Sequence, residues 1–353
     1  MDASYAGSAA KALIMRTDLL PRKIIESLLE ASSSEDMLGL LDGTQYIEEV
    51  RVLKPFFSGY ELLEVSATRR MVNLIGEISK APPANGKDAI AAYTSKWDMD
   101  SIKSIITSKF LNKPLNEENL FIVDSNRFPV GIRGSVLSRE DYKLMMNETS
   151  MDGVIKYLLK LGYGTYMMKY IEEYRKGNDI SILIYSLDIA YYENLIRSLK
   201  FFRGDEEPLR FYIREQIDIR NLMTIIKARE LSLDFSSIAD GIITLGNITL
   251  EKLRQMYNDS DLQIMKKNVM DYMHAEYGED ISSLTAGDVE IRLKRASLKE
   301  NLNRLSMQAG SLGSIFYTII MVENERNNLR TIFAGKAYGM DREKIRELLF
   351  FNE

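Results

Sequence analysis

The stretch 216–230, QIDIRNLMTIIKARE, sets acids, bases and amides around an Ile/Leu/Met stripe at helical spacing. Two other stretches carry the same order of residue types. KWDMDSIKSIITSKF starts at Lys96, 120 residues earlier, and ENERNNLRTIFAGKA starts at Glu323, 107 residues later. Aligned without gaps, the acid column is Asp98, Asp218 and Glu325, followed by Ser101, Asn221 and Asn328. Apolar columns come next: Ile102, Leu222 and Leu329; Ile105, Ile225 and Ile332; Ile106, Ile226 and Phe333. A small residue (Ser108, Ala228, Gly335) and then a base (Lys109, Arg229, Lys336) end each copy. Arg326 departs from the pattern, standing where Met99 and Ile219 are apolar.

At about 100° per residue, with the acid at zero, the apolar columns fall near about 40°, −20° and 80°, and the base near about 20°. Acid and base therefore share the face of the buried stripe, at its two ends. An ordinary amphipathic helix puts its charges opposite, and a charge beside a buried stripe needs a partner. One reading puts each acid in a first turn, favoured by the helix dipole, with each base snorkelling at the end. The other has these ends meet neighbouring copies and fix how similar units join. Tandem copies at this spacing predict three helical domains on one plan, 1–118, 119–234 and 235–353.

The rest of the chain is also helical in pattern. LLPRKIIESLLEA places Leu20, Ile24, Ile25, Leu28 and Leu29 on one face. SSSEDMLGLLDGT offers Ser and Asp starts and a Gly43 stop. Breaks are expected at Gly162–Gly164 and at Gly177–Asn178. FPVGIRGSV, 128–136, reads as a loop or a short extended piece. Seven prolines in 353 residues suit long helices.

Composition narrows the function. The net charge of −5 argues against a general nucleic-acid binder. Without cysteine there is no disulfide, thiolate nucleophile or Cys-zinc site. The most apolar run, GSLGSIFYTIIMV from Gly310, is shorter than the roughly 20 residues a spanning helix needs. No secretory signal is read at the start. There is no GxxxxGK[ST] loop, and His274, the one histidine, predicts a solvated or capping role rather than a triad or metal site. The pairs Glu48–Glu49, Glu172–Glu173 and Glu206–Glu207 read as solvated. Arg133, Arg139, Arg292, Lys294 and Arg295 are too scattered in sequence to predict an anionic-lipid surface. No cofactor, metal or catalytic residue is expected.

VENERNNLRTIFAGKAYGMDREKIRELL resembles the closing motif of the C subunit of the archaeal and bacterial-type rotary ATPase (A/V-type ATP synthase), a family similar to the d subunit of the eukaryotic vacuolar proton pump. Glu323, Glu325, Asn328, Leu329, Arg330, Gly335 and Lys336 carry the match. REQIDIRNLMTIIKAR resembles the middle motif through Glu215, Asp218, Asn221, Leu222 and Arg229, and YYENLIRSL the segment before it. WDMDSIKSIITSK is similar to the first motif, with Ser101 for an expected Asn. YAGSAAKALIMRTDLL resembles the opening, with Lys11 alone for the usual basic pair. The resemblance covers essentially the whole chain. It implies an all-α fold, three pseudo-three-fold-related domains forming a funnel. It further implies a non-catalytic component that seats on the membrane proteolipid ring at the cytoplasmic face and holds the D and F subunits of the central stalk. Asp98, Lys109, Asp218, Asn221, Arg229, Glu325, Asn328, Arg330 and Lys336 are the candidate inter-domain or partner contacts. The alternative is a helical scaffold or binding module unrelated to a rotary motor.

Overall fold

The computed structural model describes residues 3–115, 137–199, 206–258, 261–278 and 281–351. The 128–136 segment and Arg133 lie outside the described residues. Among the described residues every regular element is a helix, so the chain is all-α.

Local chemistry sets the helix ends. Ser33 caps Ser34–Asp42, its hydroxyl accepting the Asp36 N–H, and Gly43 follows as the C-cap. Gly162, at φ 85°, separates Met151–Lys160 from the short helix Gly164–Met167; glycine enters this left-handed region without a Cβ clash. Asn178 stops Ile171–Gly177 in the same region at φ 50°. Leu158, Tyr163, Met167 and Ile171 of the Tyr/Met-rich stretch are buried, whereas Met168 is exposed.

The chain divides into two compact units. The first gathers described residues of Met1–Ser101, Asn116–Leu144 and Ser306–Glu353. Its long helices Gly59–Lys80 and Leu312–Ala337 pack on each other, and Ala3–Arg16 lies against the second. Leu28, Leu29, Met37 and Leu41 meet Leu329, Ile332, Phe333 and Ile345 in one core. Burying each such side chain contributes roughly 1.5–3 kcal/mol. The Gly310–Val322 run supplies Ile315, Phe316, Ile319 and Ile320 to the interior. No helix among the described residues is long and apolar enough to cross a membrane.

The second unit gathers Ile102–Leu115 and described residues of Met145–Leu305. Glu207–Glu230 packs there against Leu250–Asn258 and Leu262–Tyr272. Leu222, Ile225 and Ile226 meet Leu253, Met265, Val269, Val289 and Leu293 in its core.

Candidate functional site

The three repeated stretches lie on the helices Lys96–Leu111, Glu207–Glu230 and Leu312–Ala337. Their apolar columns are buried as the spacing predicts. The acids are buried as well: Asp98, Asp218 and Glu325 are 3%, 1% and 6% exposed. Asp98 stands in a first turn. Asp218 and Glu325 do not, because their helices, of 24 and 26 residues, continue well upstream of the motif. For these two, the dipole of a first turn is not the source of stabilisation, and direct hydrogen bonds take that role.

Each acid accepts hydrogen bonds from a different segment of the chain. Asp98 Oδ1 accepts the Tyr142 hydroxyl at 2.6 Å. Asp218 accepts the backbone N–H groups of Asn247 and Ile248 and the Asn247 amide, each at 3.0 Å. Glu325 accepts the Leu20 backbone N–H and, at 2.7 Å, the Tyr46 hydroxyl. Burial raises the Glu325 pKa to about 7, against the lowering effect of Tyr46, the Leu20 N–H and Arg70. Burial also raises the pKa of Asp218, opposed by the Ile248 and Asn247 donors. Tyr46, buried beside the Glu325 carboxyl, is pushed well above its ordinary value.

The amide column is a second recurring contact. Asn221 Nδ2 donates to the Ile243 carbonyl at 2.8 Å, while its Oδ1 accepts the Ile243 N–H at 3.0 Å. Asn328 holds Phe350 in the same two-bond manner at 2.7 and 3.0 Å. In both cases the gripped residue lies 22 positions on. The shorter Ser101 has no carboxamide to make this pair.

The base column is the third. Lys109 Nζ donates to the Met146 carbonyl at 2.5 Å, near the end of the helix Arg139–Asn147. Lys336 Nζ donates to the Ala31 carbonyl at 2.9 Å, at the end of Arg22–Glu30. The Arg229 guanidinium lies 5.3 Å from the centroid of Tyr257, near the end of Leu250–Asn258. Lys109 and Lys336 thus meet carbonyls at the C-terminal end of a helix, where the backbone dipole favours positive charge, whereas Arg229 meets an aromatic ring on the last turn of the receiving helix.

These three receiving helices are themselves built alike. Buried Leu20, Leu137 and Ile248 stand two residues before them. Ser33, Ser150 and Asp261 cap the helix that follows each, accepting the N–H of Asp36, Gly153 and Ile264. The motif helices also end alike. Asn112, Ser232 and Gly339 take φ of 49°, 54° and 67°. The next residue's N–H returns to the carbonyls of Ser108, Ala228 and Gly335 at 3.0, 2.9 and 2.7 Å. Apolar side chains stay exposed at each end: Leu111 at the first, Leu231 and Leu233 at the second, Tyr338 and Met340 at the third.

The candidate contacts lead outward to separate segments rather than into one cleft. Arg330 is exposed, its Nε 2.8 Å from Glu64 Oε1. Arg326, the departure from the apolar column, donates to Thr68 Oγ1 at 3.2 Å, and burial lowers its pKa to about 10.

Sequence reading misses the partners of these residues, because most are backbone groups or lone tyrosines without a pattern. It also misreads two of the paired carboxylates. Glu49 is buried and bridges Arg69 at 2.8 Å while accepting from Asn73. Glu206 is buried against Arg210. Glu48, Glu172, Glu173 and Glu207 are exposed as expected. His274 is exposed and takes φ 51° just past Leu262–Tyr272. Among the described residues no group of three or more metal-ligating side chains comes together.

A family model described as ATP synthase (C/AC39) subunit matches residues 9–348. The C subunit of the A-type ATP synthase of Thermoplasma volcanium is 36% identical over 99% of both chains. Its counterpart in Thermoplasma acidophilum is also 36% identical over 99% of both. The counterpart in Methanococcoides burtonii is 26% identical over 98% of this chain and 94% of its own.

Proposed function

The chain belongs to the ATP synthase C/AC39 subunit family and is a component of a rotary ATPase, and from that premise we propose that it is the non-catalytic adaptor of the central stalk. In this reading three tandem helical domains, 1–118, 119–234 and 235–353, form a funnel. The funnel seats on the membrane proteolipid ring at the cytoplasmic face and holds the D and F subunits of the stalk. It passes torque between ATP turnover in the head and proton or sodium transport through the membrane. Family membership sets aside a scaffold unrelated to a rotary motor.

The observation that carries the reading is the recurrence of one set of clamps. Three motif helices each hold a different segment through a buried acid and a terminal base. Hydrogen bonds contribute roughly 0.5–1.5 kcal/mol each, and more where a partner is charged, so such joints resist twisting. A torque-bearing adaptor needs repeated stiff joints more than it needs a reactive pocket.

The test uses membranes stripped of the soluble ATPase parts, with head and stalk added back with and without this chain. ATP-driven ion pumping is expected to require the chain, while ATP hydrolysis by the free head does not. Unchanged pumping with the chain left in solution overturns the proposal.

A further inference from the structure

A cavity of about 380 Å³ lies in the second unit, between the helix Ala286–Ser306 and the segment 273–276. Arg292, Arg295, Lys299 and Asn303 line it at i, i+3, i+7 and i+11, a single stripe of that helix. His274 and Met273 line it from the other side. The local backbone explains this meeting. His274 takes φ 51°, its N–H donating to the Asp271 carbonyl at 3.2 Å, and the Ala275 N–H turns back to the Met270 carbonyl at 2.9 Å. That tight helix stop sets 273–276 along the cavity. Arg292 Nη1 then donates to the Glu276 carbonyl at 3.0 Å, tying the two walls together.

The charge balance is uneven. Three permanent cations and one imidazole line the cavity, with two carboxylates, Glu276 and Glu300. Outside the lining, Arg304 engages Glu300 and Asp288 faces Arg292, so the excess of positive charge rests on Arg295 and Lys299. Like charges gathered in one recess repel, and an anion between them relieves that repulsion. Arg292 and Arg295 are half-buried, with their guanidinium forks suited to two oxygens of one tetrahedral group. The volume admits a group of phosphate size with part of what carries it.

We propose that this recess binds a phosphoryl group through Arg292, Arg295, Lys299 and the His274 imidazole. Inorganic phosphate and an anionic lipid headgroup share that chemistry. The inference is independent of the coupling role, because its readout comes from the isolated chain.

His274 is the one histidine of the sequence, so its imidazole NMR signals report on the recess alone. The full chain is titrated with sodium phosphate, with sodium chloride at matched ionic strength as the reference. Separately, flotation on phosphatidylglycerol vesicles is compared with flotation on phosphatidylcholine vesicles. A saturable movement of the imidazole signals with phosphate, absent in chloride, assigns free phosphate. Flotation on phosphatidylglycerol alone, with no phosphate response, assigns a lipid phosphate.

In either case Arg295→Gln and Lys299→Gln should each weaken binding about tenfold, the scale of one charge-assisted hydrogen bond. Lys294→Gln, beside Glu290 on another face of the same helix, should leave it unchanged. Lys299 is exposed, so its variant reads binding even if Arg295→Gln perturbs folding. No saturable response to either ligand overturns the proposal, and so does a response that survives Lys299→Gln.

Discussion

Asp218 and Glu325 occupy the same column of the repeat and are buried to a similar depth, yet they are solvated differently. Asp218 draws three N–H donors from two adjacent residues, Asn247 and Ile248. Glu325 draws one N–H from Leu20 and one hydroxyl from Tyr46, residues far apart in sequence. The first acid is the anchor of a short local loop. The second pins the N-terminal segment to the last long helix. The repeat thus preserves a buried acceptor at one position and lets the donors vary. The strength of each joint is decided by the donors.

Removing the better-solvated acid should do the most harm. Asp218→Ala strands two backbone N–H groups and one amide, for a loss of about 4 kcal/mol at roughly 1–3 kcal/mol per orphaned donor. That is a large share of the roughly 5–15 kcal/mol of a typical fold, but it leaves the chain folded. Urea unfolding measures it, and a loss below about 1 kcal/mol would contradict the anchoring role. Gly246 sharpens the same comparison, because a Cβ there would lie 2.1 Å from Asp218 Oδ1. Gly246→Ala should be destabilising, and in a double-mutant cycle with Asp218→Ala the two losses should not add.

Glu325 should reveal itself through pH. Its folded pKa of about 7 lies above the ordinary 4.5, so the folded state holds the proton more tightly than the unfolded chain. The associated stability is fully present below about pH 4.5 and is lost as pH rises through about 7. The change is on the order of 3 kcal/mol. Tyr46, the Leu20 N–H and Arg70 all favour the ionised form and limit the loss. Glu325→Gln cannot ionise, so the difference in unfolding free energy between it and the parent should change across this window. A constant difference from about pH 4.5 to about pH 8 would show that burial does not govern this carboxyl.

The amide column comes next. Asn221→Ser places at the second copy what Ser101 places at the first, and removes both bonds to Ile243. A loss of about 2 kcal/mol follows, since two backbone groups lose their partner. Hydrogen exchange at the Ile243 amide should quicken well beyond that of the neighbouring core. An Ile243 amide as protected as before would mean that the local fold, not Asn221, holds that segment.

The same residues show how much of the fold and site is legible in sequence. The all-helical pattern and the repeat columns can be read because side-chain type recurs at a fixed spacing. Helix geometry alone places the acid and base on the buried face. Their partners leave no such trace. The Leu20, Asn247 and Ile248 N–H groups are backbone and carry no sequence mark, and Tyr46 and Tyr142 are ordinary core tyrosines until an acid lies beside them. A motif taken as a whole helix puts Asp218 and Glu325 in a first turn, whereas residues upstream continue the same helices. Glu49 and Glu206 look solvated in sequence because Arg69 and Arg210 reach them only once neighbouring turns and helices are folded.

Two bases on the helix Leu312–Ala337 separate a clamp from a surface ion pair. Lys336 donates to the Ala31 carbonyl at the end of another helix, so its partner is a dipole rather than a mobile charge. Lys336→Met should cost about 1 kcal/mol and depend little on salt. Arg330 sits six residues earlier, with Glu64 as its ion-pair partner and solvent around both. Exposed pairs of this kind contribute about 0–1 kcal/mol and are screened by salt. Arg330→Met should therefore change the urea midpoint barely, and not at all in roughly 1 M salt, where the screening length falls to about 3 Å. If Arg330→Met proves as costly as Lys336→Met in both conditions, the distinction between motif clamp and surface pair fails.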